Sequence, residues 1–385
     1  MKDKILNEVQ SVSDLLFDIA KYLYENPELG YEEHLACKRL TDELKAKGFS
    51  VEENICNLST AFKAVYDSGK EGASVAYFCE YDALPTVGHA CGHNLISTMS
   101  LGAAIGLKAV IDDIGGKIIV FGTPAEETGG GKVEMTDANI FEGITVGIMA
   151  HPNTVTEESG TSMAIRPIRF QFTGKPAHAA AAPEKGINAL DAVIFLFNAV
   201  NALRQHVTRD VMFHGIITHG GAAPNITPEF AEAYFYVRAA KKSVLNDAVK
   251  RVEECAYGAE KMTGAKVEII YEPAFDDLNT NTVLSEAFNN NLLSYGEKEV
   301  KKAGSGVGSI DIGNVSYSIP CIHPWIGLGD EELVLHTREF AARTVAEDVK
   351  DIVVRTAAAM AATGYDVITS KEIQKKIEDE FISSK

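Results

Sequence analysis

Side chains of the types that bind metal ions follow three apolar segments of this sequence. The segments are residues 73–80, 116–122 and 145–150. The side chains that come after them are Asp82, Cys91, His93, Glu126, Glu127 and His151. Thiolate, imidazole and carboxylate groups are all ligands of zinc and of its neighbours in the first transition row. Because open α/β sheets bind ligands beyond the carboxyl ends of their strands, this convergence predicts a metal site at one sheet edge.

Each of these residues also has a structural explanation when it is taken alone. Cys91 could be a core thiol, His93 a helix-capping residue, and the adjacent pair Glu126 and Glu127 solvated charges. The set is harder to explain in this way, because the placement at a strand end recurs and buried acids without partners are costly. A metal site is therefore the better interpretation, although the spacing alone does not give the number of metal ions.

The elements that must position these side chains alternate between strands and helices. Apolar residues three and four positions apart predict two helices within 3–47, joined by a turn at 26–30. A long helical pattern over 94–112 separates the segments 73–80 and 116–122. Apolar strands that alternate with helices predict an α/β fold, with helices on both faces of a mixed, mainly parallel sheet.

The middle of the chain predicts a second, inserted domain. Its pattern reads strand, helix, strand, strand, helix, strand over 167–174, 186–205, 211–218, 229–238, 242–263 and 266–272. This βαββαβ order is that of a ferredoxin-like sandwich. We therefore expect a first domain in two parts, 1–166 and 277–385, with the insert 167–276 between them. In the second part we expect helices over 279–294 and 338–362 and a strand near 316–322.

The composition limits the classes of function. The 385 residues include 36 Lys and Arg against 54 Asp and Glu, which gives a formal charge of −18, and basic residues form no run. This argues against a nucleic-acid partner and an anionic membrane surface. The six scattered cysteines argue against a disulfide scaffold. The first 20 residues lack signal-peptide features, and the apolar stretch 95–110 contains polar residues, so we expect a cytoplasmic protein without a transmembrane segment.

A set of longer motifs runs through nearly the whole chain. They are GHACGHN (88–94), TPAEETGGG (123–131), MAHP (149–152), GKPAHAAAAPEKGINALDA (174–192), HGGAAPNITPE (219–229), YVRA (236–239), DIGNVS (311–316) and LHTREFA (335–341). In order and spacing they resemble the two-metal exopeptidases and aminoacylases related to carboxypeptidase G, in the amidohydrolase branch. The resemblance implies a zinc-exopeptidase-like catalytic domain, with the ferredoxin-like insert as a lid and dimerisation domain.

One departure from the branch narrows the subgroup. The best-known members have Asp and His at the positions of Asn94 and Ile96. The form HACGHNLI is instead similar to the aminobenzoyl-glutamate hydrolases and to the dipeptidases that cleave β-alanyl-lysine or release C-terminal basic residues. Neither altered residue matches a metal ligand, so the departure affects the expected substrate and leaves the expected metal site unchanged.

The resemblance also implies roles for individual residues. It implies two divalent metal ions, whose ligands would be Cys91, His93, Glu127, His151 and His336. Glu126 matches the general base, and Asp82 matches an aspartate that orients the metal site. In the insert, His178 matches a histidine that stabilises the oxyanion in the active site of the other subunit, which implies a homodimer. Asn225 and Arg238 match residues that contact substrate.

These residues predict a metal-dependent amidohydrolase, dipeptidase or aminoacylase. We expect it to cleave an amide bond in a small-molecule dipeptide or N-acyl or N-aroyl amino acid, by attack of metal-activated hydroxide with Glu126 as base. The ligand types suit zinc, manganese, cobalt and nickel alike. The alternative is a catalytically inactive relative that binds a peptide or an amino-acid conjugate. A serine hydrolase is disfavoured because the chain has no G-x-S-x-G motif.

Overall fold

A computed structural model describes residues 1–304, 306 and 308–384 of the chain. These residues divide into two compact units. The first unit comprises the described parts of Met1–Thr161, Leu278–Gly306 and Asp311–Lys385. The second unit comprises Ser162–Asp277 together with the described residues of a short segment that ends at Ile310. The expectation that 167–276 forms a separately folding domain stays a prediction.

The strands belong to three sheets in the described part of the chain. They are β1 Ser50–Glu53, β2 Phe62–Asp67, β3 Ser74–Cys79, β4 Lys117–Gly122, β5 Val146–Ile148, β6 His151–Asn153, β7 Ala164–Thr173, β8 Met212–His219, β9 Phe230–Ala239, β10 Lys266–Tyr271, β11 Cys321–Ile322 and β12 Trp325–Gly327. The first unit contains a sheet in the order β1-β2-β4-β3-β5-β11 and the pair β12-β6. The second unit contains a sheet in the order β10-β7-β9-β8.

The helices account for most of the remaining regular structure. They are α1 Lys2–Ser11, α2 Ser13–Glu25, α3 His34–Ala46, α4 His93–Ile114, α5 Gly131–Asp137, α6 Ala189–Leu203, α7 Lys242–Thr263, α8 Thr282–Ser294, α9 Ile312–Ser318, α10 Arg338–Arg343, α11 Val349–Thr369 and α12 Lys371–Ser383. Of these, α6 and α7 belong to the second unit.

The large sheet of the first unit is mixed and mainly parallel, as predicted. Strands β4, β3, β5 and β11 run parallel, whereas β1 and β2 pair antiparallel at one edge. Successive residues of β3 point to opposite faces. On one face Tyr77 donates a hydrogen bond to the Met360 carbonyl in α11, and on the other Phe78 packs against Phe121 and Phe141. Both faces of the sheet are therefore covered.

Helix α4 is the central helix of the first unit. Two glycines allow close packing around it, because a Cβ at Gly102 would lie 2.8 Å from Leu16 and a Cβ at Gly106 would lie 2.6 Å from Val9. The helix is 22 residues long, and an 18-residue window of it has a mean hydropathy of 1.4, so by length and composition it could cross a membrane. However, 89% of that window is buried inside the protein, as in the core helix of a folded domain.

The second unit has the predicted βαββαβ order, in the sequence β7, α6, β8, β9, α7, β10. All of its strand pairs are antiparallel. The side chains of Ile168, Phe170 and Phe172 alternate along β7 and are fully buried with residues of both helices. This is the ferredoxin-like sandwich that the sequence indicates.

The prediction of one helix over 338–362 is wrong. The structure has α10 and α11 with a break between them. At this break Arg343 donates a hydrogen bond of 2.8 Å to the Leu328 carbonyl and pairs with Asp348, while the buried Thr344 hydroxyl accepts from Asn94. Leu328 and Asn94 lie outside the Ala-rich segment, so the apolar periodicity of that segment did not predict the break.

Two further predictions need correction. The strand expected near 316–322 is reduced to β11, because 312–318 forms helix α9, in which the Ser316 hydroxyl donates to Gly313 and accepts from the Asn279 N–H. The first 47 residues form three helices instead of two, because the helical conformation is interrupted at Val12 between α1 and α2.

Candidate metal centre

The predicted site residues of the first unit, apart from His336, follow strands of the large sheet. Asp82 lies just beyond β3, and Cys91 and His93 lie at the start of α4. The position between these two ligands requires glycine, because Gly92 has φ +85° and a Cβ there would lie 2.3 Å from Pro152. The other predicted residues are Glu126 and Glu127 beyond β4, His151 at the start of β6, and His336 before α10.

The two ring nitrogens of His93 differ in their hydrogen bonding. Its Nδ1 lies 2.9 Å from the Asp82 Oδ1 and 2.9 Å from the Asp82 carbonyl, so this nitrogen carries the proton and donates. Its buried Nε2 has no hydrogen-bond partner among the residues that the structure describes. That atom lies 3.5 Å from Glu80 Oε2, 4.0 Å from Glu126 Oε2 and 3.9 Å from Glu127 Oε1. Acceptor atoms that face each other in a buried site require a proton or a metal ion between them.

A backbone hydrogen bond likewise orients the ring of His151. Its Nδ1 donates to the Pro152 carbonyl at 2.7 Å, which leaves Nε2 directed at Cys91 Sγ, 3.5 Å away. Burial, together with the neighbouring His323 and His93, lowers the pKa of His151 well below its ordinary value. The imidazole is therefore neutral, which is the form that binds a metal.

The remaining predicted ligands complete overlapping groups. Within the described part of the chain, Glu127 Oε1 is buried without a hydrogen-bond partner, and it lies 3.5 Å from His336 Nε2. Ligand atoms within 4.8 Å of one another occur in the groups Cys91, His93, His151; Cys91, Glu127, His336; and His93, Glu126, Glu127. Because every predicted ligand belongs to at least one group and two groups share Cys91, the donor set fits two neighbouring divalent ions.

Asp82 connects the two sides of this centre. Its Oδ1 accepts from His93, and its Oδ2 accepts the backbone N–H of Glu127 at 3.0 Å. Burial alone would raise the pKa of Asp82, but the adjacent His93 ring, which donates a hydrogen bond to it, and the Glu127 N–H lower the pKa below its ordinary value. Asp82 is thus an ionised, fully buried carboxylate that fixes both a histidine tautomer and the backbone beside Glu126.

Glu126 lies in a strongly negative, buried environment. Burial, followed by the negative charges of Glu80, Asp311 and Glu127, raises the pKa of its carboxyl well above the ordinary value. Nearby, the fully buried Lys132 Nζ donates to Glu80 Oε1 at 2.6 Å and to Asp311 Oδ1 at 2.8 Å. One buried cation therefore binds two carboxylates that flank the centre.

This ion-pair network was not predicted from the sequence. Glu80 had a usable signal, because it lies two positions before Asp82 at the end of the same strand. Lys132 gave none, since lysine is rarely buried. Asp311 was present only as the first residue of the DIGNVS motif, with no role assigned to it. His323, which is buried with its ring centroid 5.3 Å from that of His151, was also missed, although it directly follows the strand predicted near 316–322.

The predicted residues of the insert lie in the second unit. His178 and Asn225 are neighbours on adjoining loops, where the Ala179 N–H donates to the Asn225 carbonyl at 3.1 Å. The His178 ring accepts from the Ala180 and Ala181 N–H groups, and its side chain is exposed. Arg238 is on β9 opposite Met212 of β8. The roles of these three residues stay predictions.

Comparisons with known proteins agree with this description. Residues 160–261 match a family model described as a peptidase dimerisation domain. The chain is 35% identical to the mouse Xaa-Arg dipeptidase, over 99% of this chain and 92% of that protein. The chain belongs to the M20 peptidase family. Its strand-end cluster of thiol, imidazole and carboxylate groups could hold metal ions, as a metal-dependent hydrolase of this family requires.

Other relatives have the same kind of activity. One of the subunits of the Escherichia coli p-aminobenzoyl-glutamate hydrolase is 32% identical over 73% of this chain and 63% of that protein. A solved Bacillus subtilis protein, YXEP, described as a dinuclear metal-binding peptidase from the M20 family, has the same fold, with a TM-score of 0.66, 18% identity and coverage of 93% of this chain and all of that one. The chain is a metal-dependent hydrolase of amide bonds, and the alternative of an inactive binding protein has no support among these relatives.

Proposed function

We propose that this M20 hydrolase is a dipeptidase whose preferred substrates have a basic C-terminal residue. The observation that carries the proposal is the match to the mouse Xaa-Arg dipeptidase, which spans 92% of that protein. The sequence form HACGHNLI at 89–96, with Asn94 and Ile96, points to the same subgroup. N-aroyl amino acids are the second candidate substrates, because the Escherichia coli relative is named for aminobenzoyl-glutamate.

In this proposal Cys91, His93, Glu127, His151 and His336 hold two divalent ions of zinc, manganese, cobalt or nickel. The orphaned Nε2 of His93 and Oε1 of Glu127 support this assignment. When bound, the ions would polarise the scissile carbonyl, lower the pKa of a water and offset the negative charge around Glu126. Asp82 keeps His93 in the tautomer whose Nε2 can bind.

Glu126 is the proton carrier in this proposal. The pKa of its carboxyl is raised, and its Oε2 lies 4.0 Å from His93 Nε2. Glu126 is therefore beside the proposed metal ligands but is not one of them. It would accept the proton of the attacking water and then donate it to the leaving amine, so that one carboxyl serves both halves of the reaction. The neighbouring Glu127 is bound by its contacts to the ligand cluster and cannot take this role.

The second unit would contribute substrate contacts. His178 would donate to the oxyanion, and Asn225 and Arg238 would bind the substrate, with the guanidinium suited to a carboxylate. The matched dimerisation model supports a homodimer formed through this unit. We also propose a cytoplasmic location, for which the acidic composition and absence of a disulfide scaffold are the supporting features.

A substrate panel tests the proposed function. Purified protein would be loaded separately with zinc, manganese and cobalt and offered dipeptides that end in Arg, Lys, Glu or Leu, together with aminobenzoyl-glutamate. We expect metal-dependent hydrolysis, with kcat/KM highest for the basic C-terminal residues. The matched control is Glu126→Gln, which differs by one functional group. Equal rates for all C-terminal residues would contradict the proposed specificity, and absence of hydrolysis with every metal would contradict the function.

A further inference from the structure

The turn that carries Glu126 and Glu127 begins with a strained residue. Ala125 has φ +59°, in the left-handed region that is unfavourable for residues with a Cβ. Its carbonyl accepts the N–H groups of Gly129 at 3.0 Å and Gly130 at 2.7 Å. The backbone angles of Ala125 determine the direction of the next two side chains. A structure that keeps this conformation must stabilise it by other contacts.

A buried carboxylate provides such a contact. Glu33 is fully buried, and its Oε1 accepts the Ala125 N–H at 2.8 Å, while its Oε2 accepts the Thr60 hydroxyl at 2.8 Å. Burial raises the pKa of Glu33. A buried carboxyl is costly, so its retention beside a strained turn requires an explanation. Its hydrogen-bond partners are not among the predicted metal ligands, and its hydrogen bond to Ala125 joins it to the turn that carries Glu126 and Glu127.

The segment that contains Glu33 packs closely against this turn. A Cβ at Gly30 would lie 2.8 Å from the Ala125 Cβ and 2.3 Å from the Thr128 hydroxyl, so only glycine allows this approach. The Glu28 carbonyl in the same segment accepts the Ala83 N–H at 2.8 Å, beside Asp82. Residues 28–33 therefore contact both turns that carry residues of the metal centre.

We propose that Glu33 is a positioning residue, whose carboxylate holds Ala125 in the left-handed conformation and thereby sets the side chains of Glu126 and Glu127. Asp82 holds the Glu127 N–H at 3.0 Å, so the backbone on both sides of Glu126 is tied to a buried carboxylate. This inference rests on the proposed roles of Glu126 and Glu127 in the proposed function.

Substitutions of similar volume test the proposal. Glu33→Gln keeps an acceptor for the Ala125 N–H and an amide donor for Thr60, so its kcat should stay within about threefold of wild type. Glu33→Met keeps the volume but removes the acceptor, and kcat should fall about tenfold to a hundredfold with a much smaller change in KM. Thr60→Val is the matched control, since it removes the other hydrogen-bond partner of Glu33. Its kcat should stay within about threefold of wild type, as in Glu33→Gln.

A second substitution tests the coupling to Ala125. Glycine adopts the left-handed conformation without the Cβ penalty, so Ala125→Gly alone should change kcat little. In the Glu33→Met background the same change should restore kcat about five- to tenfold. Because glycine at this positive φ also stabilises the fold, kcat is compared at a temperature at which denaturation curves show every variant fully folded, where rescue reports positioning. If Glu33→Met does not fold, Glu33→Asp, which withdraws the carboxylate by one carbon, takes its place in both comparisons.

Metal affinity provides a readout that is independent of turnover. Zinc binding measured by competition with a chelator should weaken in Glu33→Met and recover in the double variant, because Glu127 is displaced with the turn. Wild-type kcat and zinc affinity in Glu33→Met, or no rescue by Ala125→Gly, would overturn the inference while leaving the proposed function intact. An inactive wild-type protein would instead count against the proposed function, and the zinc measurements would still decide the role of Glu33.

Discussion

Glu126 and Glu127 are adjacent in the chain, yet they have different surroundings. Glu127 lies 3.5 Å from His336 and 3.9 Å from His93, whereas the Glu126 carboxyl lies among the buried charges of Glu80 and Asp311. The first environment is typical of a ligand and the second of a group that exchanges protons.

These surroundings predict a separation between metal binding and catalysis. Glu126→Gln should retain metal content but lose about 10²–10⁴ in kcat, because it lacks the proton acceptor. Glu127→Gln should be similarly inactive and should also lose part of its metal. The measurements are elemental analysis after dialysis and turnover of a dipeptide. Wild-type turnover in Glu126→Gln would remove that residue from the mechanism.

Asp82 gives a second prediction at this scale. The two oxygens of its carboxylate accept from His93 and from the Glu127 N–H, and an asparagine has only one oxygen. Asp82→Asn should therefore weaken metal affinity by about tenfold to a hundredfold. A chelator competition experiment measures this directly, and an unchanged affinity would show that the His93 tautomer is fixed by the backbone carbonyl alone.

At the scale of elements, Lys132 connects the start of α5 to the end of β3 and the start of α9. Removing one partner from a buried ion pair leaves an uncompensated charge, so Lys132→Met should lower the free energy of unfolding by about 3–5 kcal/mol. The control is Lys38→Met, which breaks an exposed pair with Asp42 and should cost less than about 1 kcal/mol. Equal midpoints of denaturation for the two variants would contradict the assignment.

The elements also show where sequence reasoning succeeds. Helix α4, strand β3 and the strand and helix order of the second unit were predictable, because apolar periodicity reflects burial on particular faces. The break between α10 and α11 was not, since Arg343 makes its stabilising contacts with Leu328 and Asp348 only in the folded chain. Cys91 and His151 could be identified as candidate ligands because they follow predicted strands, but no local sequence pattern indicated Lys132 or Glu33.

In the whole protein, we predict that catalysis is shared between the two subunits of a dimer. Glu126 belongs to the first unit and His178 to the second. Homodimers of Glu126→Gln and of His178→Ala should both be inactive. After subunit exchange, about half the dimers should be hybrids with one intact site of two, so activity should approach about one quarter of wild type. Verified hybrids that remain inactive would show that His178 does not act on the partner's centre.

The central claim is that a dinuclear metal centre at the strand ends performs amide hydrolysis with Glu126. The most direct measurement is a metal titration of stripped protein in which bound metal and dipeptide hydrolysis are followed together. We predict that activity appears as about two divalent ions bind per chain. In parallel, Glu126→Gln should bind the same number and remain inactive. Fewer than one ion per chain at saturation, or hydrolysis by the stripped protein, would contradict the account.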